Sequence, residues 1–171
     1  MDPNAPAVAG SAFEAWLLAV EATPVATTVR ESVWLYPAVE IAHILGFVLL
    51  LGSAVAFDLR LLGLSRGISA SALAAHVLPW ARVGLGLAAP TGVLMFMSDA
   101  TVTAANPAFR LKLLLVAAGV ANAWAFHRWT FRSVPSWDRH APTPVLARVA
   151  AVVSIATWVS ALACGRLIAY V

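Results

Sequence analysis

Four long apolar segments constrain this chain more than any other feature. The clearest runs from Trp34 to Arg60, WLYPAVEIAHILGFVLLLGSAVAFDLR. It is long enough to cross a bilayer as a helix, because a span needs about 20 mostly apolar residues. Glu40 and His43 lie inside this run, one turn apart on the same helix face. Ionisable groups within a span are energetically unfavourable and usually face a bundle interior, so this pair indicates a functional site.

The composition excludes a soluble domain. Of 171 residues, 61% are hydrophobic and 11% are charged, whereas soluble domains carry about 25% charged residues. No basic cluster is interleaved with aromatic residues, so we expect no nucleic-acid partner. A single cysteine, Cys164, excludes an intrachain disulfide. The expected partners are the lipid bilayer and either another membrane protein or further copies of the chain.

The pattern predicts an all-α integral membrane four-helix bundle with a short N-terminal amphipathic helix at the membrane interface. Phe13, Trp16, Leu17 and Val20 recur at i, i+3, i+4 and i+7 within residues 11–21, which favours a helix lying on the surface. We therefore divide the chain into an N-terminal segment and a membrane domain. Their bounds are 1–32 and 33–171, with spans at about 33–57, 78–98, 108–129 and 145–171.

Charges and prolines predict where these spans begin and end. The charged residues of Asp58-Leu-Arg60 are expected to stop the first span, and Pro79 suits the start of the second helix. Residues 99–107 are predicted to form a loop.

Arginines concentrate in the connections after the first and third spans, whereas the other side has Arg30 in the tail and no basic residue between Asp99 and Pro107. Arg110, Lys112 and Arg166, at the outer ends of the third and fourth spans, run against this bias. Since basic connections stay cytoplasmic, we expect both termini to face outward. The Arg-rich, Lys-poor composition suits a bacterium, so the expected location is a bacterial inner membrane.

Polar residues from all four spans fall at similar depths. At about 1.5 Å per residue, Glu40 lies about 9 Å and His43 about 13 Å beyond Trp34. Lys112 and Arg166 each lie about 6 Å from the same boundary. The predicted binding set is Glu40, His43, Thr91, Lys112 and Arg166.

An imidazole inside a membrane four-helix bundle suits the axial ligand of a b-type haem. His43 would hold the iron, with Glu40 as its hydrogen-bonding partner or as a proton acceptor. Lys112 and Arg166 would bind the propionates. Further candidates for a metal ligand are His127, His76 and Met95, but His43 and His127 differ in depth by about 15 Å and cannot share one haem. The leading hypothesis is a haem b protein in electron transfer or an oxidoreductase step.

Other functions stay open. Glu40 could pair with Lys112 or Arg166 only to fasten helices. Met95, Met97 and Cys164 are soft ligands that would suit Cu(I) in a copper or small-solute transport protein. The chain could also be a cofactor-free accessory subunit of a larger membrane complex. A di-iron site is excluded, because Glu40-x-x-His43 has no second copy.

Four runs carry a resemblance to known families: WLYPAVEIAHILGFVLLLGSAVAFDLRLLG, LPWARVGLGLAAPTGVLMF, NPAFRLKLLLVAAGVANAWAFHR and SALACGRLIAY. They resemble an uncharacterised family of small bacterial four-span inner-membrane proteins. More distantly, the layout is similar to the superfamily of HemJ-type protoporphyrinogen oxidases and CopD-type copper-resistance proteins. In the HemJ group, a histidine on the first span and a lysine on the third are associated with haem b. The resemblance therefore implies the same role for His43 and Lys112.

Overall fold

The structure, a computed structural model, describes residues 11–139 and 141–170. All regular secondary structure over those ranges is helical. Residues 1–10 of the N-terminal segment and Val171 of the fourth span lie outside the described residues. The elements are α1 (Ala12–Glu21), α2 (Pro24–Glu31), α3 (Leu35–Leu62), α4 (Ala70–Ser98), α5 (Ala100–Ala105), α6 (Pro107–Arg128), a 3₁₀ helix (Thr130–Ser136) and α7 (Val145–Leu167).

Helices α3, α4, α6 and α7 are long and apolar enough to cross a membrane. This confirms the predicted all-α four-helix membrane bundle. Apolar side chains cover its outside: Val48 is 60% exposed and Leu114 is 69% exposed. Several buried positions hold small residues such as Ala88 and Ala161. A surface of this kind suits contact with lipid, and small interior residues let helices approach closely.

Two predicted boundaries are wrong. Asp58 and Arg60 do not stop the first membrane helix, which continues to Leu62 and ends at Gly63, whose φ of 110° only glycine adopts easily. Pro79 does not begin α4 but lies inside it, because the Ser69 side chain caps this helix ten residues earlier by accepting a hydrogen bond from the Ala72 N–H.

The amphipathic segment forms the predicted helix α1, which ends before Pro24. A second short helix, α2, follows because Thr23 accepts a hydrogen bond from the Ala26 N–H and Pro24 occupies the first turn. The region predicted as a loop at 99–107 contains helix α5.

The four long helices are not packed evenly. Helix α3 packs against α4 and α7, and α7 packs against α6, whereas no Cα atom of α4 comes within 8 Å of any Cα atom of α6. Side chains bridge this wider side near one end, where the rings of Phe96 and Phe109 stack with centroids 5.4 Å apart. The bundle is therefore tight on the α3–α4 side and more widely spaced between α4 and α6.

Short elements close the end of the bundle that carries α1, α2 and α5, called here the α2 end. The Glu21 carboxylate accepts hydrogen bonds from the Thr101 backbone N–H at 2.6 Å and from its hydroxyl at 2.8 Å. These bonds lower the pKa of Glu21 below its usual range. Arg30 on α2 donates to the Ser98 carbonyl at 3.1 Å. Helices α1 and α2 are thus tied to the end of α4 and the start of α5.

The opposite end, called here the 3₁₀ end, is held by Arg60 and Asp138. The buried Arg60 guanidinium donates to the carbonyls of Ile68 at 2.7 Å and Asp138 at 2.8 Å. The Asp138 carboxylate accepts from the Ser71 N–H and the Ser69 hydroxyl, each at 2.7 Å. These hydrogen bonds lower the pKa of Asp138. Arg60 therefore joins α3 to two connections at this end.

Candidate functional site

The site is built around His43, which lies on α3 and faces α4. Its Nδ1 lies 2.8 Å from the Ala88 carbonyl oxygen and 3.2 Å from Thr91 Oγ1. The Thr91 hydroxyl itself donates to the Leu87 carbonyl at 2.6 Å. Since a carbonyl only accepts, Nδ1 carries the ring proton and donates it to Ala88. The Nε2 lone pair of His43 is consequently directed away from α4.

Close contact between two glycines explains how a main-chain carbonyl of α4 reaches His43. A Cβ on Gly84 would lie 2.5 Å from both the Gly46 carbonyl oxygen and the Leu50 nitrogen, and a Cβ on Gly46 would lie 2.7 Å from the Ala88 nitrogen. No larger residue fits either position without moving the backbone. Gly46 follows His43 by one turn, so this contact presents Ala88 to the imidazole.

Lys112 on α6 supplies the second half of the site. Its Nζ lies 3.4 Å from His43 Nε2, so the ammonium donates to the nitrogen that Ala88 leaves free. The lysine chain passes close to α7, where a Cβ on Gly165 would lie 3.3 Å from Nζ. A Cβ on Gly92 would lie 3.0 Å from His43 Cε1. Two glycines thus leave room for the His43 ring and the Lys112 ammonium.

The structure brings three of the predicted binding residues together: His43, Thr91 and Lys112. Glu40 is exposed on the lipid-facing surface one turn before His43 and forms no ion pair with Lys112 or Arg166 in the described part of the chain. The described hydrogen-bond partners of His43 are Ala88, Thr91 and Lys112. The hydrogen-bond partner that orients His43 is therefore the Ala88 carbonyl and not Glu40.

Arg166 does not join this cluster. Its guanidinium donates to the Tyr170 hydroxyl on the same helix end and lies over that ring, with the guanidinium carbon 4.8 Å from the centroid. Both side chains are exposed. Counting residues along the helices predicted a similar depth for Arg166 and Lys112, but depth does not determine the direction in which a side chain points.

The remaining candidate ligands lie elsewhere. His127 is half-buried near the 3₁₀ end, where the charge of Arg82 acts on it. His76 is exposed near the start of α4. Met95 follows Thr91 by one turn on α4, but neither nitrogen of His43 contacts it. The structure therefore places one histidine at this site.

Sequence reasoning missed the groups that position this histidine. Ala88, Gly92 and Gly165 carry no chemistry of their own, and only the approach of another helix makes them part of the site. A usable signal was present for two of them: Ala88 and Gly92 lie four residues apart on the same face of α4 as Gly84, so small residues mark the side on which another helix approaches.

Between residues 11–139 and 141–170, no group of three or more His, Cys, Asp or Glu side chains is placed to hold a bare metal ion. A site with one imidazole and one ammonium can accept a metal that brings its own ligands, or an anionic group that the lysine attracts.

This fold and site define a multi-pass membrane protein with a histidine–lysine pair inside a helical bundle. The chain belongs to the family described as "Family of unknown function (DUF6644)", whose model matches residues 34–171. No curated protein and no solved structure matches the chain. The matched region begins at Trp34 and includes the four long helices and every residue of the histidine–lysine site.

Proposed function

We propose that the protein binds haem b in a bacterial inner membrane and takes part in electron transfer or an oxidoreductase step. One observation carries the proposal: His43 Nδ1 donates to the Ala88 carbonyl, so Nε2 keeps the lone pair that an iron ligand needs. A main-chain acceptor on the other ring nitrogen fixes the tautomer and the ring orientation of a ligating histidine.

The small number of candidate ligands favours a metal held in a macrocycle. Structural metal ions bound directly by protein need about four ligands, as tetrahedral zinc does. A porphyrin supplies four nitrogens itself, so a single imidazole from the protein would be enough to hold its iron. His43 meets that requirement alone. Cys164 is buried near Lys112, and the sequence has no second cysteine to share a metal with it.

Lys112 supports the same proposal through its charge. Its ammonium now lies 3.4 Å from Nε2, on the side from which a metal would approach. The long side chain can turn away from the imidazole, and Gly165 leaves space beside it. A displaced ammonium in this position suits a carboxylate, such as a propionate, because a charge-assisted hydrogen bond is strong in an apolar surrounding.

The wider spacing between α4 and α6 supports entry of a flat molecule. No Cα atoms of these two helices lie within 8 Å of each other, and Nε2 of His43 points toward α6, where Lys112 originates. When bound, haem would supply a one-electron redox centre. The residues of this chain would orient it through His43, bind its carboxylates through Lys112 and exclude water with the surrounding apolar side chains. Glu40, exposed one turn away, would accept a proton.

The resemblance to the HemJ and CopD superfamily adds support of another kind. It links haem b to a histidine on the first span and a lysine on the third, and those are the two side chains that meet here at 3.4 Å. We propose the oxidoreductase function on this combination of resemblance and contact.

Charge supports the proposed orientation in the membrane. Exposed arginines concentrate at the 3₁₀ end, which would then face the cytoplasm and leave both termini outside. These arginines are Arg66, Arg128, Arg132, Arg139 and Arg148.

The test is the visible spectrum of the protein purified in detergent, first oxidised by air and then reduced with dithionite, with a pyridine haemochrome assay for stoichiometry. We expect a Soret band, reduced α and β bands, and loss of the haem in His43→Ala. His76→Ala changes an exposed histidine and serves as the matched control, which should keep full occupancy. A colourless wild type after expression with haem precursor would overturn the proposal. Full occupancy in His43→Ala would overturn the ligand assignment.

A further inference from the structure

A second polar site lies at the other end of the bundle, away from His43. The Asp58 side chain is only 6% exposed, and its Oδ2 has no hydrogen-bond partner. A carboxylate in an apolar interior is unfavourable unless it is paired, hydrogen-bonded or protonated. Asp58 Oδ2 therefore needs either a proton of its own or a hydrogen-bond donor that is not among the described residues.

Asp58 borders a small cavity that other polar groups share. The cavity has a volume of about 50 Å³, which is enough for water. Asn122 and His127 on α6 also line it, and Asn122 is held in place by donating to the Ala150 carbonyl at 3.0 Å. The other lining residues are apolar, namely Ala54, Phe57, Leu61, Leu78, Ala123, Phe126 and Ala150.

We propose that this cavity is a proton-binding site, in which Asp58 carries a proton and exchanges it with His127 through water. In the exchange, the O–H bond of Asp58 breaks as an N–H bond forms on His127, and the cavity water relays the proton. No electron is transferred, and the product is a carboxylate facing an imidazolium. This site is independent of haem binding, because none of its residues contacts His43.

A proton fits the lining better than a metal cation does. A hard cation such as Ca²⁺ needs about six or more oxygen ligands, whereas the polar side chains of this lining are Asp58, Asn122 and His127. A proton needs only one acceptor atom, and Asp58 Oδ2 is such an atom. Half-exposed His127 connects the cavity to the outside of the bundle.

Charged and titratable groups from each neighbouring helix set the surroundings of this proton. Arg82 on α4 acts on His127 through its charge, and Ser154 on α7 lies beside Asp58. Arg60 follows Asp58 on α3, but it is directed to the connections of the 3₁₀ end, where it donates to Ile68 and Asp138. Apart from Asp58 itself, no described carboxylate lines the cavity beside His127.

Difference infrared spectroscopy of the full chain in lipid nanodiscs tests the proposal. We expect the C=O stretching band of a protonated carboxyl at neutral pH, shifted by exchange into D₂O and by ¹³C labelling of aspartate. Asp58→Asn should abolish this band, whereas Asp99→Asn, which changes an exposed aspartate, and His43→Ala should both keep it. His127→Gln should change the pH at which the band disappears.

The wild-type spectrum alone can overturn the proposal. Absence of an aspartate band at neutral pH would mean that Asp58 is ionised and that a cation balances it. Persistence of the band in Asp58→Asn would assign the proton elsewhere. If Asp58→Asn does not fold, Ser154→Ala tests the assignment instead. Loss of the hydroxyl beside Asp58 should shift the infrared band, and an unchanged band would contradict the proposed site.

Discussion

His43 and Asp58 lie on the same helix, but the bundle surrounds them differently. Both ring nitrogens of His43 have partners, the Ala88 carbonyl at 2.8 Å and Lys112 Nζ at 3.4 Å. Asp58 Oδ2 is buried with no partner and faces a cavity. His43 lies beside the glycine contact of α3 and α4, where backbones meet. Close helix packing thus completes one polar site, whereas a small cavity beside the other leaves room for water.

The largest expected effect comes from Gly84→Ala, which disrupts the close contact between α3 and α4. Its Cβ would lie 2.5 Å from backbone atoms of Gly46 and Leu50, so α3 and α4 must separate. We expect the free energy of unfolding in detergent, followed by circular dichroism, to fall by about 3 kcal/mol. Gly86→Ala is the matched control, because a Cβ there meets nothing within 4 Å. The Asp58 infrared band should survive Gly84→Ala, since α4 contributes only Leu78 to the residues that line its cavity.

The next prediction compares the two polar residues directly. His43→Leu leaves the buried part of Lys112 without its acceptor, so we expect the free energy of unfolding to fall by about 2 kcal/mol. Asp58→Leu removes a buried carboxyl that has one unpartnered oxygen and fills the cavity, so it should be neutral or stabilising. Both variants are measured by the same unfolding experiment on protein prepared without haem precursor. Equal losses of stability in the two variants would show that the contrast between the sites is unfounded.

A smaller effect should distinguish the two halves of the histidine–lysine site. Gly92→Ala brings a Cβ within 3.0 Å of the His43 ring, which Ala88 holds in place, and should lower the free energy of unfolding by about 1 kcal/mol. Gly165→Ala brings a Cβ within 3.3 Å of Lys112 Nζ, the far end of a flexible chain, and should change little. A larger loss in Gly165→Ala would mean that the lysine is the more rigid partner.

The smallest effects concern the two ends and depend on pH. Hydrogen bonds from Thr101 lower the pKa of Glu21, and hydrogen bonds from Ser71 and Ser69 lower the pKa of Asp138. The unfolded chain therefore binds these protons first as the pH falls. The stabilisation is complete above the ordinary carboxyl pKa of about 4 and is lost as the pH falls towards the lowered folded value.

Measuring the free energy of unfolding at about pH 6 and about pH 3 checks whether this stabilisation is lost in acid. Glu21→Gln, at the α2 end near His43, should reduce the loss of unfolding free energy between these two pH values. Asp138→Asn, at the 3₁₀ end near Asp58, should do the same. Asp99→Asn, which changes an exposed side chain with no described hydrogen bond, should leave the pH dependence unchanged. An unaltered pH profile in both test variants would contradict the assignment.

Much of the fold followed from the sequence, and less of the site did. Hydropathy and length identified the four long helices, and helical rise placed His43, Thr91 and Lys112 at one level, where they meet. The same arithmetic also selected Arg166, which turns towards Tyr170. Asp58 was interpreted as a stop signal, although it follows Ala54 by one turn on the face that also carries Leu50, which is buried.

The sequence by itself determined the class of protein, the number of long apolar helices and the position of each polar residue along its helix, because length, hydropathy and a constant rise per residue are local properties. Only the tertiary structure decided which of those residues share a site. That depends on how each helix is rotated and on how closely its neighbours approach, and the contact of Gly46 with Gly84 sets both for His43. The same packing leaves Asp58 beside a small cavity, whose lining includes the short side chains of Ala54, Ala123 and Ala150.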